Sequence, residues 1–291
     1  GEARRPRRRS LGQAPVLGPN GQPLGTLESS MPNQVTIRDL RKLKAAGTPI
    51  VCVTAYDQLT ATLAERAEVD LVLVGDSLGN VVQGKPTTLP VTMAEMVYHT
   101  EIVARLTQRA LVVADLPFGS YGGDPHLAFE NAVALMKAGA HAVKLEGPYV
   151  DLIRSLVQAG IPVMGHLGFT PQSVHAFGGF RVQGRGEAGE RITEDALALQ
   201  EAGAFAIVLE LMPAEVASSI TEKLDVPTIG IGAGAECDGQ IQVIHDALGL
   251  GDFKPKHAKT FVEGLDLLSE GLRSYSREVR AKSFPTDEHS A

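Results

Sequence analysis

Acidic side chains close a series of short apolar runs in this chain. Five carboxyl residues each lie at or near the C-terminal end of such a run; they are Asp57, Asp76, Asp115, Glu146 and Glu210. If the runs are parallel strands, their C-terminal ends meet at one edge of a sheet or at one mouth of a barrel. The pattern therefore predicts several carboxylates around a single pocket.

A cluster of carboxylates favours a particular chemistry. Crowded carboxylates repel one another and stay ionised when a cation joins them. Oxygen ligands without a histidine cluster suit Mg2+, which leaves coordination positions for water and substrate. A 2-oxo acid can fill two such positions, so that the metal polarises its carbonyl group while a nearby carboxylate removes the adjacent proton. Lys144, on the same strand face as Glu146, and His166, inside the fifth run, are further candidates.

Each candidate also has a purely structural interpretation. A single Asp at a strand end is more often a helix N-cap, and Asp57 fits that role for the segment that follows it. His166 alone is typical of a satisfied buried histidine, and Lys144 can serve only to pair with Glu146. The Gly-rich segment 178–186 is consistent with an ordinary loop.

The elements that must position these residues alternate regularly along the chain. Apolar runs occupy 49–57, 70–77, 110–118, 141–147, 162–169, 204–211 and 227–234, with a short eighth at 241–249. Helical patterns occupy 36–47, 58–68, 92–106, 126–139, 149–160, 193–203, 214–224 and 257–282, and 170–189 is irregular. Thr92 and Glu95 form a capping-box pattern at the start of one helix.

Alternating strands and helices predict the α/β class with a parallel sheet. Eight such units and a leading helix favour a (β/α)8 TIM barrel whose N-terminal helix caps the barrel bottom. A doubly wound open sheet is the alternative, but no Gly-rich dinucleotide loop follows the first run.

Composition narrows the class of protein. The chain has 291 residues, of which 44% are hydrophobic, and a formal net charge of −7, so we expect no nucleic-acid partner. No apolar run is long enough for a membrane span, and two distant cysteines indicate a reducing, cytoplasmic location.

We expect residues 1–35, which begin with an Arg-rich stretch, to be a disordered extension, and residues 36–291 to form one barrel domain. Because Gly1 begins the chain, Met31 is a candidate natural start.

Several segments together carry a resemblance to a known family. They are TAYD (54–57), LVGDSLGNVVQG (73–84), TTLPVTMAEMVYHT (87–100), ADLPFGSY (114–121), AVKLEG (142–147), GHLGFTPQSV (165–174), GGFRVQGRG (178–186), PTIGIGAG (227–234), CDGQ (237–240) and FPTDEHS (284–290). From about residue 36 onwards the chain resembles the ketopantoate hydroxymethyltransferase (3-methyl-2-oxobutanoate hydroxymethyltransferase) family.

The resemblance implies roles for the candidate residues. It implies that Asp76, Asp115 and Glu146 bind Mg2+, and that Glu210 is the base that removes the C3 proton of 3-methyl-2-oxobutanoate. The implied substrate-binding residues are Asp76, Ser77, Asp115, Lys144 and His166. The enolate would attack the one-carbon unit of 5,10-methylenetetrahydrofolate, giving 2-dehydropantoate and tetrahydrofolate, and the enzyme would be a homo-oligomer, typically a decamer.

Four rival functions stay open at this point. A Mg2+-dependent lyase or decarboxylase of the isocitrate lyase and phosphoenolpyruvate mutase type would share the acid cluster, but we find no KKCGH-like loop with a reactive Cys. A Schiff-base aldolase would use Lys144. A non-catalytic binding barrel, or an RNA-associated protein using residues 1–9, belongs to a different class, and the net charge opposes the RNA interpretation.

Overall fold

Eight parallel strands close into a barrel, with strands adjacent in sequence also adjacent in space and β8 paired with β1. The computed structural model describes residues 34–290. The strands are β1 (Ile50–Thr54), β2 (Leu71–Val74), β3 (Leu111–Asp115), β4 (Ala142–Lys144), β5 (Val163–Gly168), β6 (Ala206–Glu210), β7 (Thr228–Ile231) and β8 (Gly239–Gln242). The predicted TIM barrel is confirmed.

Helices connect successive strands on the outside of the barrel, except that the first helix precedes β1 and the last two follow β8. They are α1 (Ile37–Ala45), α2 (Gln58–Arg66), α3 (Leu78–Val81), α4 (Met93–Leu106), α5 (Pro125–Lys137), α6 (Val150–Gln158), α7 (Glu187–Glu201), α8 (Ala214–Lys223), α9 (Ile244–Ala247) and α10 (Gly264–Ala281). Short 3-10 turns occupy Pro171–Ser173 and Asp287–His289. Every residue of β2, β3 and β4 is buried, which explains why these strands read as continuous apolar runs.

The leading helix closes the amino end of the barrel, as predicted. Thr36 and Asp39 form a capping box that starts α1. Leu40 of α1 is fully buried and packs in one cluster with Ile50 and Leu71, each the first residue of its strand. The opposite, carboxyl end of the barrel is left free to carry the site.

Two element boundaries differ from the sequence-based expectation. The eighth strand begins at Gly239 rather than at 241, and the rest of the expected run forms α9. A side chain at 239 would collide with the carbonyl oxygen of Ile50, so glycine starts this strand and the apolar signal appears late. Helix α7 starts at Glu187, six residues earlier than expected. Its first turn is polar and shows no apolar periodicity, so the sequence pattern did not indicate it. The acidic residues of that turn nevertheless favour a helix N-terminus.

Part of the expected domain organisation lies outside the described residues. Of the predicted disordered extension, residues 1–35, the structure describes only Gln34 and Val35, and the Val35 N–H donates to the Arg109 carbonyl at 2.7 Å. Within residues 34–290, none of the helices combines the length and apolar character required to cross a bilayer.

Candidate active site

One cavity of about 420 Å³ contains all the site residues that the sequence predicts. They are Asp76, Ser77, Asp115, Lys144, Glu146, His166 and Glu210. Three of these residues end a strand: Asp115 ends β3, Lys144 ends β4 and Glu210 ends β6. Because the strands are parallel, all three lie at the same end of the barrel.

Lys144 is the central cation of the acidic group. Its Nζ donates to Asp115 Oδ1 at 2.7 Å and lies 3.9 Å from Glu146 Oε1. Burial alone would lower the pKa of Lys144, but the charges of Asp115, Glu146 and Asp76 raise it above its usual value. The side chain is therefore a buried ammonium group held by carboxylates.

Asp76 and Asp115 lie in a region with a surplus of negative charge. Burial raises the pKa of Asp76 well above its ordinary value, and the nearby charges of Asp115 and Glu146 raise it further. Burial also raises the pKa of Asp115, although Lys144 opposes this effect. The Asp76 N–H donates to Asp115 Oδ2 at 3.1 Å, which ties the two acids together.

His166 lies between two carboxylates. Its Nδ1 is 3.6 Å from Glu146 Oε1, and its Nε2 is 3.2 Å from Glu210 Oε2. Burial alone would lower the pKa of His166, but these two acids raise it to about 9. Burial alone would likewise raise the pKa of Glu146, yet contact with His166 holds it below its usual value. The His166 ring therefore lies between the buried acid and the acid nearer the mouth.

Asp57, the fifth strand-end acid, has a structural role. Its Oδ1 accepts from the Thr60 N–H at 2.8 Å, and the two residues form a capping box at the start of α2. It is not among the residues that line the cavity. The N-cap interpretation of Asp57 is confirmed.

The structure adds residues that sequence patterns did not indicate. The Tyr56 hydroxyl is 2.8 Å from Ser77 Oγ, and the buried Gln172 amide contacts Asp76. Phe180 and Phe253 line the same cavity with exposed rings. Gln172 and Tyr56 carry no local signal, because their partners are distant in the sequence.

The donor set fits a hard divalent cation by its chemistry. Asp76, Asp115 and Glu146 offer only oxygen atoms, and their negative charge exceeds that of nearby cationic side chains. Within residues 34–290, no group of three or more Asp, Glu, His or Cys side chains is arranged so that it could hold a metal ion by itself. Mg2+ commonly binds through one or two carboxylates together with water and substrate oxygens, so it does not require such a cage.

Comparison with known proteins identifies the family. Residues 34–287 match the family model described as ketopantoate hydroxymethyltransferase. The chain belongs to this family. A relative named 3-methyl-2-oxobutanoate hydroxymethyltransferase from Magnetococcus marinus is 54% identical over 265 residues, covering 89% of this chain and 99% of the relative. One of the same name from Ralstonia nicotianae is 52% identical over 268 residues, covering 91% and 97%.

Family membership makes the chain a transferase enzyme with small-molecule substrates. A solved phosphoenolpyruvate phosphomutase from Streptomyces platensis subsp. rosaceus has a TM-score of 0.60 and 17% identity, covering 88% of this chain and 91% of that one. This similarity extends to the barrel fold alone. The lyase or mutase alternative is therefore not favoured over hydroxymethyl transfer.

Proposed function

We propose that the chain transfers a hydroxymethyl group from 5,10-methylenetetrahydrofolate to 3-methyl-2-oxobutanoate in the acidic cavity at the carboxyl end of its barrel. The products are 2-dehydropantoate and tetrahydrofolate, and the reaction serves pantothenate and coenzyme A biosynthesis. One observation carries the proposal: carboxylates at the ends of β3 and β6, and just after β2 and β4, line the same cavity as one lysine and one histidine.

Asp76, Asp115 and Glu146 would hold Mg2+. Bound there, the metal polarises the keto group of the substrate and stabilises the negative charge that develops on it. Burial, together with repulsion from Asp115 and Glu146, raises the pKa of Asp76, and a cation held by these acids would oppose that rise.

Ser77 and Lys144 orient the 2-oxo acid beside these carboxylates. Lys144 contributes a positive charge that attracts the substrate carboxylate, while Asp115 holds its Nζ in place at 2.7 Å. Ser77 Oγ is fixed by the Tyr56 hydroxyl, so it presents a positioned hydrogen-bonding group to the cavity. These contacts fix the substrate with its C3 proton accessible to a base.

Glu210 is the base. Its side chain is 12% exposed, more than the buried acids, and it ends β6 in the same cavity. His166, 3.2 Å from Glu210 Oε2, holds the carboxylate in position. After the C3 proton moves to Glu210, C3 of the substrate forms a bond to the methylene carbon of the folate. Both bonds from that carbon to the folate nitrogens break, and water supplies the hydroxyl group. The C3 proton and the remaining water proton end on those two nitrogens, and tetrahydrofolate leaves.

The folate co-substrate requires a wider, apolar part of the same cavity. Phe180 and Phe253 lie there with rings that are 71% and 80% exposed. Such faces suit stacking against a planar ring system. The two exposed rings therefore support a folate site on the solvent side of Glu210, from which the one-carbon unit would reach the substrate.

A product assay tests the proposed reaction. The purified enzyme is incubated with 3-methyl-2-oxobutanoate, 5,10-methylenetetrahydrofolate and Mg2+, and the mixture is analysed by mass spectrometry. We expect 2-dehydropantoate, and no product after chelation with EDTA. Release of carbon dioxide or a cleaved acid instead would indicate the lyase type, and a borohydride-trapped adduct on Lys144 would indicate a Schiff-base mechanism.

A homo-oligomer is supported by an apolar stripe on α10. The stripe consists of Leu265, Leu268, Leu272, Tyr275 and Val279, which follow a heptad spacing and are 39–70% exposed. The outer face of β1 and β8 is also uncovered: Val51 is 52% exposed, and only the four-residue α9 follows β8 directly. We propose that a second copy of this chain covers these surfaces, within a decamer.

Light scattering tests the assembly. Replacing Leu268 and Leu272 together by Glu places charges on the stripe, and we expect the oligomer to dissociate. Arg280→Glu, outside the stripe, changes the net charge equally and should leave the mass unchanged. An oligomer unaffected by the double substitution would remove α10 from the interface.

Two further expectations accompany the proposed function. The enzyme works in the cytoplasm, and residues 1–35 are an extension outside the catalytic barrel. Among residues 34–290, those that line the cavity lie between Thr54 and His257, within the proposed barrel domain. Deleting residues 1–30 should leave turnover and oligomer mass unchanged, and loss of either would contradict it.

A further inference from the structure

Gln172 lies directly behind the acidic cluster. It is the middle residue of the 3-10 turn Pro171–Ser173, which follows β5. Its side chain is 6% exposed, and it is not among the residues that line the cavity. Any effect of Gln172 on the site must therefore pass through the residues that it contacts.

Gln172 contacts two of the proposed metal ligands at once. Its backbone N–H donates to Glu146 Oε2 at 2.9 Å, and its side-chain Nε2 donates to Asp76 Oδ2 at 2.9 Å. Asp76 follows β2 and Glu146 follows β4, so a single residue connects acids from two separate strands. Hydrogen bonds to charged acceptors of this kind are stronger than neutral ones.

Other contacts fix the orientation of the Gln172 amide. Nε2 also donates to the Leu116 carbonyl oxygen at 3.0 Å, and that oxygen can only accept. Oε1 must therefore face the other way, where it accepts from the Tyr121 hydroxyl at 2.6 Å. The Tyr121 oxygen in turn accepts from the Glu146 N–H at 3.0 Å. The buried amide has partners on both ends and cannot turn without losing them.

These bonds decide which carboxylate oxygens remain for a ligand. Gln172 uses Asp76 Oδ2 and Glu146 Oε2, which leaves Asp76 Oδ1 and Glu146 Oε1 without a bond to it. Glu146 Oε1 is the oxygen nearest to Lys144 Nζ and His166 Nδ1. One oxygen of each acid is thus held by Gln172, and the other oxygen of Glu146 faces the cationic side chains of the site.

We propose that Gln172 is a positioning residue that sets the relative orientation of Asp76 and Glu146 and so determines the affinity of the site for Mg2+. The inference rests on the proposed function, in which these two acids hold the metal. Groups that hydrogen-bond to metal ligands typically change metal affinity by about 10–100-fold when they are removed.

Replacing Gln172 by Met tests the inference. Methionine is unbranched and of similar size but lacks the amide, while the backbone bond to Glu146 remains. We expect the dissociation constant for Mg2+ alone, measured by calorimetry without substrates, to rise by about 10–100-fold. In the exchange of the C3 proton, the Mg2+ concentration for half-maximal rate should rise by the same factor. The rate at saturating Mg2+ should stay within about threefold of wild type, because the base Glu210 is intact.

Gln242→Met is the matched control. The Gln242 side chain also makes two hydrogen bonds, both to the backbone of Lys259, but it lies on β8 and does not line the acidic cavity. It should bind Mg2+ as the wild type does. If Gln172→Met does not fold, Gln172→Asn keeps the amide on a shorter side chain and should weaken Mg2+ binding in the same direction.

The possible outcomes separate this inference from the proposed function. A wild type that binds Mg2+, together with a folded Gln172 variant that binds it equally well, overturns the inference alone. A C3 exchange rate of the Gln172 variant that stays low at saturating Mg2+ also overturns the inference. If the rate of C3 proton exchange by the wild type does not depend on Mg2+, the metal role of the acids is wrong, and so is the positioning role of Gln172.

Discussion

Three carboxylates and two cationic side chains determine the charge balance of the cavity. Asp76, Asp115 and Glu146 are buried, and Lys144 and His166 are the cations beside them. Burying a charge is costly unless it is paired, and one carboxylate more than the available cations remains. A bound cation would balance this negative charge, as the proposed metal role of the acids requires.

Glu210→Gln tests the assignment of the base. The amide cannot accept the C3 proton, so we expect the rate of C3 exchange to fall by about 10²–10⁴-fold. Binding of Mg2+ and of 3-methyl-2-oxobutanoate should stay within about threefold of wild type, because Glu210 contributes only to proton transfer in this account. Calorimetry and proton NMR measure the two quantities, and an unchanged exchange rate would remove Glu210 from this role.

Asp115→Ala tests the metal shell. The substitution removes a proposed Mg2+ ligand and also the acid that holds Lys144 Nζ. We expect the affinities for Mg2+ and for the 2-oxo acid to fall together, each by at least about tenfold. Calorimetric titration with each ligand provides the measurement.

Asp57→Ala is the control for that experiment. Asp57 is also a strand-end acid, but it caps α2, so its loss should cost about 1 kcal/mol of stability. Mg2+ affinity should not change. If both variants lost Mg2+ equally, the effect would reflect general destabilisation rather than a ligand role.

At the scale of elements, the end of β5 must approach β6 very closely. Gly168 has φ +91°, and a Cβ at this position would collide with the carbonyl oxygen of Glu210. Gly168→Ala should therefore lower the free energy of unfolding by about 1–3 kcal/mol. It should also slow C3 exchange, because Glu210, the proposed base, would be displaced. Urea unfolding and proton NMR measure the two effects.

Gly160→Ala is the matched control for this prediction. Gly160 has φ +86°, but nothing lies within 4 Å of an added Cβ. It shares the backbone cost of a positive φ, about 1–2 kcal/mol, without the collision. A catalytic loss of the same size in both variants would contradict the close approach of β5 and β6 as its cause.

His141 makes the junction of β3 and β4 sensitive to acid. Its Nδ1 accepts from the Val112 N–H at 3.0 Å, and burial lowers the pKa of the ring below its usual value near 6.5. The unfolded chain binds a proton at a higher pH than the folded one, so stability from this group is complete above pH 6.5 and decreases as the pH falls below it.

A comparison with His141→Asn isolates this effect. Asparagine retains an oxygen acceptor but does not titrate, so the free energy of unfolding should depend less on pH between 7 and 5. The expected difference is below about 1.4 kcal/mol per pH unit, the limit for one proton. Parallel pH profiles for the two proteins in urea unfolding would contradict the prediction.

Local patterns explain which elements could be predicted from the sequence. The capping box at Thr92 and Glu95 is a four-residue signal, and it is present in the structure. Strand-end acids such as Asp115 and Glu210 were recognisable because a charge interrupts an otherwise apolar run. Helix α3 was missed because four residues are too few for a helical period.

The hydrogen-bond network behind the acids was not predictable in this way. Gln172 lies 96 residues from Asp76 in sequence, and its pairing depends on how β2 and β5 are arranged in the closed barrel. An isolated glutamine after a strand has no periodicity and no charge to mark it. Such contacts require the tertiary structure.

At the scale of the whole molecule, barrel closure creates the site. Strands β1 to β8 run parallel, so side chains that are distant in sequence meet at one end, while α1 closes the other. The site acids come from different strands, so an open or partly unfolded sheet would separate them. Catalytic competence should therefore be lost in the same transition as the barrel fold.

The most direct test of the account is deuterium exchange at C3 of 3-methyl-2-oxobutanoate, followed by proton NMR in the absence of folate. The account predicts exchange with Mg2+ and none with EDTA, because the bound metal acidifies the proton that Glu210 removes. Exchange that persists in EDTA would contradict the metal role. Absence of exchange with Mg2+, both without folate and after addition of tetrahydrofolate, would contradict the substrate assignment.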